Sequence, residues 1–161
     1  MSTHLDSVIQ RLIGLPIEQA QLGHGSFLTF DLGKPLKGEQ ERREWHVWIY
    51  CCYWEMFRNE SSVTHCEDNR LSISNSVESL AGRLFSKIAV GIDGGSEFQF
   101  SDGTSIRTFP WEEEAESWMI YTPEGIVLTL NSDGTWDYVR GDKSIDHPLK
   151  QPLAQPRQTG G

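Results

Sequence analysis

The amino-acid sequence predicts a single α+β domain built mainly from antiparallel strands. Hydrophobic residues make up 37% and charged residues 23% of the 161 positions, which is a globular composition. Apolar and polar residues alternate through much of the chain, and Gly-containing turn sequences separate the alternating runs. We therefore expect an antiparallel sheet of about eight or nine strands, a short N-terminal helix, and one further helix packed on one face of the sheet.

The first helix is predicted near the N-terminus. Apolar residues at positions 5, 8, 9 and 12 recur at helical spacing, and Ser2 or Thr3 can serve as the N-cap. Gly14 is a typical helix stop. We predict a helix over residues 4–13.

The second helix is predicted over about residues 76–88. Asn75 and Glu78 have the spacing of a capping box. The apolar residues at positions 77, 80, 81, 84 and 88 then share one helical face over three turns. Before this helix, Leu71 and Ile73 alternate briefly and predict a strand.

The most distinctive strand segment is WHVWIYCCYWEMF, residues 45–57. Both of its alternating sets are apolar or aromatic, so we predict one central strand that is covered on both sides. An earlier strand is predicted over residues 28–32, where Leu28, Phe30 and Leu32 alternate with polar residues. The polar stretches at residues 33–44 and 58–69 are predicted to be loops.

The chain has three cysteines, Cys51, Cys52 and Cys66. Adjacent strand residues point to opposite faces, so Cys51 and Cys52 are not expected to form a disulfide. Their apolar neighbours indicate buried, unreactive thiols. Such cysteine usage fits a reducing cytoplasm, which is the predicted location.

Three hairpin turns are predicted in the second half of the chain. They are Asp102-Gly103, Pro123-Glu124-Gly125 and Asp133-Gly134. Alternation stops after Arg140, so residues 1–140 are predicted to form the domain. Residues 141–161 are rich in Pro and are predicted to be an extended or disordered tail.

The charge distribution indicates the kind of partner. The formal net charge is −9, and residues 71–140 hold eleven acidic and four basic side chains, a net charge of −7. This sign disfavours nucleic acid and anionic membrane and favours a protein with a basic surface. No CxxC or HxxxH spacing is present, so neither a metal nor a cofactor is predicted.

The leading hypothesis is a non-catalytic protein-binding domain. No GxSxG, P-loop or dinucleotide-binding sequence is present. The acidic run Glu112, Glu113, Glu114 and Glu116 is predicted to meet the basic partner, and Trp111 and Trp136 are predicted to be exposed aromatic anchors.

Three alternatives remain open from the sequence. A small enzyme or ligand-binding domain would use His24, which lies between two glycines, with Trp48 and Tyr50 as aromatic walls of a pocket. The last five residues, RQTGG, resemble the end of SUMO, which implies conjugation through Gly161. Unprotected sheet edges leave strand-mediated homodimerisation open.

A broader resemblance covers about residues 80–139. It rests on Gly82-Arg83, Phe100-Ser101-Asp102-Gly103, Glu116-Ser117-Trp118 and Pro123-Glu124-Gly125. This layout resembles small uncharacterised bacterial proteins, and families of this size and composition are similar to immunity proteins of bacterial toxin systems. The resemblance implies an immunity or inhibitor function and supplies no catalytic residue.

Overall fold

The computed structural model describes residues 3–35, 43–111 and 115–140. Within these ranges the chain forms two short helices, α1 (His4–Leu12) and α2 (Arg70–Glu78). It also forms eleven strands, namely β1 (Ile17–Leu22), β2 (Leu28–Pro35), β3 (Arg43–Ile49), β4 (Cys52–Arg58), β5 (Ser61–His65), β6 (Phe85–Val90), β7 (Ser96–Phe100), β8 (Thr104–Pro110), β9 (Glu116–Tyr121), β10 (Ile126–Asn131) and β11 (Trp136–Arg140). The predicted class, an α+β protein dominated by antiparallel strands, is confirmed, but the described residues contain more strands than expected.

The strands form two antiparallel sheets rather than one. The six-stranded sheet has the order β1-β2-β3-β9-β10-β11, and the five-stranded sheet has the order β5-β4-β8-β7-β6. Each sheet turns one set of alternating side chains toward a shared core. The expected arrangement, a single sheet with a helix packed on its face, was therefore wrong.

Aromatic side chains join the two sheets across this core. Phe30 of β2 contacts Phe85 and Phe100 of the five-stranded sheet, with ring centroids 5.8 and 6.0 Å apart. Phe98 meets Trp118 edge to face at 5.5 Å. The Trp118 indole N–H donates to the Ser96 hydroxyl over 2.9 Å, so its polar atom is satisfied inside the core.

Residues 45–57 are not one central strand. They form β3 and β4, which belong to different sheets, and the chain crosses between the sheets at Tyr50 and Cys51. The Tyr50 N–H donates to the Ser117 carbonyl oxygen over 2.9 Å, which ties this crossing to β9. The buried parity changes there, from Trp45, Val47 and Ile49 in β3 to Cys52, Trp54 and Met56 in β4. The segment that looked apolar on both sides is therefore two strands, each of which is buried on one face only. The buried positions are odd-numbered in β3 and even-numbered in β4, and a corner joins the two strands.

The predicted helix over residues 76–88 was also wrong. Helix α2 ends at Glu78, residues 79–84 form a turn and a short connection, and residues 85–88 already belong to strand β6. A register shift in β6 between Phe85 and Lys87 lets both Phe85 and Ile88 face the core. That three-residue spacing of buried positions imitates a helical period.

The true N-cap of α2 is Asn69. Its side-chain oxygen accepts a hydrogen bond from the Ser72 N–H over 2.8 Å, so the segment predicted as a strand around Leu71 and Ile73 is helical. Helix α2 contacts the edge strands β1 and β5 of the two sheets. Arg70 donates to the carbonyl oxygens of Gly23 and Gly25, and this fixes the turn between β1 and β2.

The predicted N-terminal helix and the three hairpin turns are confirmed. Thr3 caps α1 through a reciprocal pair of bonds with Asp6. The turns at residues 102–103, 123–125 and 133–134 join β7 to β8, β9 to β10, and β10 to β11. Neither helix of the described residues is long and apolar enough to cross a membrane. The predicted tail, residues 141–161, lies outside the described residues.

Candidate functional site

The two tryptophans predicted as partner-binding anchors differ in their exposure. Trp111 follows β8 and is 49% exposed. Trp136 faces the inner side of the six-stranded sheet opposite Leu130 and is only partly exposed, with its ring 6.2 Å from His4 of α1. Trp136 therefore packs under α1. Glu112, Glu113 and Glu114 lie outside the described residues.

Three chain segments converge at the end of the molecule where Trp111 lies. The β6–β7 turn meets the β10–β11 turn so closely that a side-chain carbon at Gly94 would stand 2.8 Å from the Ser132 carbonyl oxygen. Ser132 in turn exchanges two hydrogen bonds with Ala115, in the connection between β8 and β9. These contacts fix the two hairpin tips against the connection that carries Trp111.

Large apolar side chains are exposed at this end. Ile92, in the β6–β7 turn, is fully exposed, and Phe109 is 46% exposed. Exposed acidic residues accompany them, Asp93 in the same turn and Asp133 in the neighbouring one. We call Ile92, Asp93, Phe109, Trp111 and Asp133 the tip surface.

The β6–β7 turn holds Ile92 in a defined position. The Gly91 N–H donates to the Gly95 carbonyl oxygen over 2.7 Å, and the Gly95 N–H donates to the Asp93 carboxylate over 2.9 Å. Gly94 has φ near +89°, a conformation that favours glycine. The apolar side chain is thus displayed on a hydrogen-bonded turn.

Glu116 lies beside the tip surface at the start of β9. Burial raises the pKa of its carboxyl above the usual value, and the nearby Asp137 acts in the same direction. Its charge also raises the pKa of Tyr50, after the larger effect of burial there. The charge of Glu116, beside the tip surface, therefore also acts on Tyr50, which directly follows β3.

A second feature is a groove on the outer face of the six-stranded sheet. The strand register aligns Gln21, Thr29, Trp48 and Met119 in one row across β1, β2, β3 and β9. The adjacent row contains Asp31, His46 and Tyr121. The groove has a volume of about 400 Å³ and is lined by Gln21, Thr29, Asp31, Arg43, His46, Trp48 and Tyr121. We call these seven residues the outer-face groove.

An aspartate–histidine pair lies in the middle of the groove. The Nδ1 atom of His46 is 2.7 Å from an Asp31 carboxylate oxygen, and the Asp31 side chain is only 12% exposed. A carboxylate accepts, so Nδ1 carries the proton and donates. In the neutral imidazole, Nε2 is then a hydrogen-bond acceptor.

Aromatic rings continue the groove toward the end of β3. Trp48 lies 4.6 Å from Tyr50, and Phe27 lies 4.4 Å from Tyr50. The structure therefore brings together Trp48 and Tyr50, two of the residues predicted for a ligand pocket. The third, His24, lies on the exposed β1–β2 turn and is not among the groove residues.

Sequence reasoning missed Asp31, Arg43 and His46. His46 and Trp48 have the same parity in β3, which the sequence does show. Their alignment with Asp31 depends on the register between β2 and β3, which residue patterns alone do not determine.

Cys52 is buried as the sequence predicts, whereas Cys51 and Cys66 are only partly buried. Burial raises the pKa of Cys52 to about 12, and its thiol donates to the Ser117 carbonyl oxygen over 3.4 Å. Burial also raises the pKa of Cys51 and of Cys66. In the part of the chain that the structure describes, no group of three His, Cys, Asp or Glu side chains is placed to hold a metal ion. Gly161 lies outside that part.

Comparisons with models of protein families, with curated proteins and with solved structures found no match to this chain. We therefore infer function from the tip surface and the outer-face groove alone.

Proposed function

We propose that this protein is a non-catalytic protein-binding domain of the immunity or inhibitor type, and that it binds a basic partner through the tip surface. The observation that carries this proposal is the complete exposure of Ile92 on a hydrogen-bonded turn. An apolar side chain of this size gains about 1.5–3 kcal/mol when it leaves water. A protein partner with an apolar pocket supplies that burial.

The aromatic residues of the tip surface support an interface. Phe109 and Trp111 are each about half exposed, and they follow Thr108, whose carbonyl oxygen lies against Gly95 of the turn that carries Ile92. Aromatic side chains are enriched in the cores of protein interfaces, and tryptophan often contributes a large share of the binding free energy. Together these side chains supply the apolar centre of an interface.

Charge complementarity favours a basic partner. Asp93 and Asp133 lie at the two hairpin tips, and Glu112, Glu113 and Glu114 directly follow Trp111 in the sequence. Negative potential around an apolar centre accelerates association with a positively charged surface. It also disfavours acidic proteins as partners, so it contributes to specificity.

The half-buried Glu116 adds to this electrostatic preference. Burial makes its ionised form costly, as the raised pKa shows. A Lys or Arg side chain from the partner would stabilise that ionised form. Binding would then lower the pKa of Glu116.

The test is partner capture by variants of the tip surface. The tagged wild-type protein, used as bait in a lysate of the cells that produce it, is expected to retain one stoichiometric basic protein at low salt. Ile92→Ser and Trp111→Ala are each expected to reduce the captured amount at least about tenfold, since an interface anchor contributes roughly 2 kcal/mol. Quantitative mass spectrometry measures the retained protein.

Leu71→Ser is the matched control, because Leu71 is an apolar residue that is 72% exposed on α2 and is not part of the tip surface. This variant is expected to capture the partner as the wild type does. Absence of a stoichiometric partner, or equal capture by Ile92→Ser and the wild type, would contradict the proposed function.

A further inference from the structure

We infer that the outer-face groove is a second binding site, and that it takes a small planar aromatic acid. This site lies on the face of the six-stranded sheet that is turned away from the core, and it shares no residue with the tip surface. It therefore does not depend on the proposed protein partner.

The groove has the dimensions and composition of a small-ligand site. Its volume of about 400 Å³ falls within the usual range for such sites. Side chains from β1, β2, β3 and β9 line it, and the register places them in adjacent rows. Because regular strands carry these side chains, their relative positions are set by the sheet.

Trp48 provides the surface for a planar ring. It is partly exposed, and three other rings surround it: Tyr50 at 4.6 Å, Phe27 at 6.2 Å and His46 at 6.4 Å. These neighbours restrict the orientation of the indole. A planar ligand ring can stack against it.

The Asp31–His46 pair provides a directed acceptor. The Asp31 carboxylate accepts from Nδ1, so Nε2 is the nitrogen left to accept from an N–H or O–H group of the ligand when the imidazole is neutral. The Asp31 carboxylate is used in this contact and contributes little to binding a cation. The side chains of Gln21 and Thr29 add neutral hydrogen-bonding groups on the β1–β2 side of the groove.

Arg43 selects an acidic ligand. One of its guanidinium N–H groups donates to the Gly33 carbonyl oxygen over 2.9 Å, which holds the side chain at one end of the groove. Within the described ranges, no carboxylate pairs with Arg43. Its remaining donors match the two oxygens of a carboxylate. Because the Asp31 carboxylate accepts from His46, the guanidinium of Arg43 is left to bind the ligand.

Three indole probes that differ in one group test this inference. They are indole-3-acetate, the neutral indole-3-acetamide and the cationic tryptamine, titrated into ¹⁵N-labelled protein and followed by two-dimensional NMR. Indole-3-acetate is expected to shift the resonances of Trp48, His46 and Tyr121. It is expected to bind about tenfold more tightly than the acetamide, as a charge-assisted pair contributes roughly 1.5 kcal/mol or more. Tryptamine is expected to bind most weakly.

Two variants separate the contributions of ring and charge. Arg43→Gln is expected to bring the acid and the amide to the same affinity, and Trp48→Leu is expected to weaken all three probes. Lys87→Gln is the matched control, because it removes one positive charge at an exposed site in the five-stranded sheet and should leave the preference for the acid unchanged. Amide dispersion in the same spectra verifies that each variant is folded.

The inference is overturned if no probe shifts the groove resonances at millimolar concentration. It is also overturned if tryptamine binds best, or if Arg43→Gln preserves the preference for the acid. Because the probes are small molecules and the tip surface is elsewhere, a negative result here leaves the capture experiment unaffected.

Discussion

Two glutamates show how the surroundings of a single side chain set its effect on stability. Glu116 is half-buried and its pKa is raised by burial, whereas the pKa of Glu124 is lowered by its hydrogen bonds with Arg11. Arg11 and Glu124 form two parallel N–H···O contacts of 2.9 and 2.8 Å, which join α1 to the β9–β10 turn. The two carboxylates therefore have opposite effects on the pH dependence of folding.

Replacing Glu116 by Gln is expected to stabilise the protein at neutral pH by about 0.5 kcal/mol, a value discounted for solvent screening. With a folded-state pKa above the usual 4.5, the native state holds a proton that the unfolded state loses first. Stability from this group is present below pH 4.5 and is lost as the pH rises through the raised pKa. The gain in Glu116→Gln should therefore vanish near pH 4, as measured by urea unfolding.

Glu124→Gln is the control of opposite sign. Its folded-state pKa lies below 4.5, so its contribution is present above that value and is lost as the pH falls through the folded pKa. The variant should be less stable than the wild type at neutral pH by about 0.5 kcal/mol, as for an exposed ion pair. If both variants changed stability in the same direction at neutral pH, the assignment of burial to Glu116 would be wrong.

At the scale of elements, helix α2 provides the sharpest test, because two asparagines compete as its N-cap. The structure assigns the cap to Asn69, whose side chain accepts from the Ser72 N–H. Asn69→Ala is therefore expected to lower the free energy of unfolding by about 1 kcal/mol. Asn75→Ala is expected to change it by only a few tenths, since position 75 lies inside the helix.

Chemical denaturation with unchanged m-values would measure both effects. A larger loss in Asn75→Ala than in Asn69→Ala would mean that the helix begins where the capping-box spacing placed it, and that the fold described for residues 70–90 is incorrect.

Local chemistry explains which elements the sequence could predict. Helix α1 has a capping residue, a helical period and a terminal glycine within about a dozen positions, and the three hairpin turns have Gly where φ is positive. Strand β5 was missed because its turn uses Asn59 and Glu60, with φ of 50° and 72°, instead of glycine. Non-glycine residues rarely adopt this conformation, so the polar stretch predicts a loop.

Non-local pairing explains what the sequence could not predict. Residues 45–57 carry apolar side chains in both parities, and a corner between two sheets produces the same pattern as a strand buried on two sides. The groove depends likewise on the register of β2 against β3, which places Asp31 beside His46. Trp48 and Tyr50 were identified as candidates by their residue type, whereas their polar neighbours required the three-dimensional pairing.

Considering the whole molecule, the two proposed sites share no residue, although the tip surface includes turns from both sheets. The aromatic core between the sheets supports both sites. The chain crosses from one sheet to the other after β3 and after β8, and these crossings bring strands of the two sheets together near Glu116. The tip surface occupies one end, and the groove occupies the outer face of the six-stranded sheet. A protein partner and a small ligand would therefore contact different parts of one rigid scaffold.

Site-specific photo-crosslinking in the cells that produce the protein would show directly whether the tip surface binds a partner. A benzophenone amino acid at position 92 would probe the tip surface, and the same residue at position 71 would probe α2, where Leu71 is also exposed. One discrete crosslinked product that contains a basic protein is expected from position 92, and no such product is expected from position 71. Crosslinking from position 71 alone, or from neither position, would contradict the claim that the tip surface binds a partner.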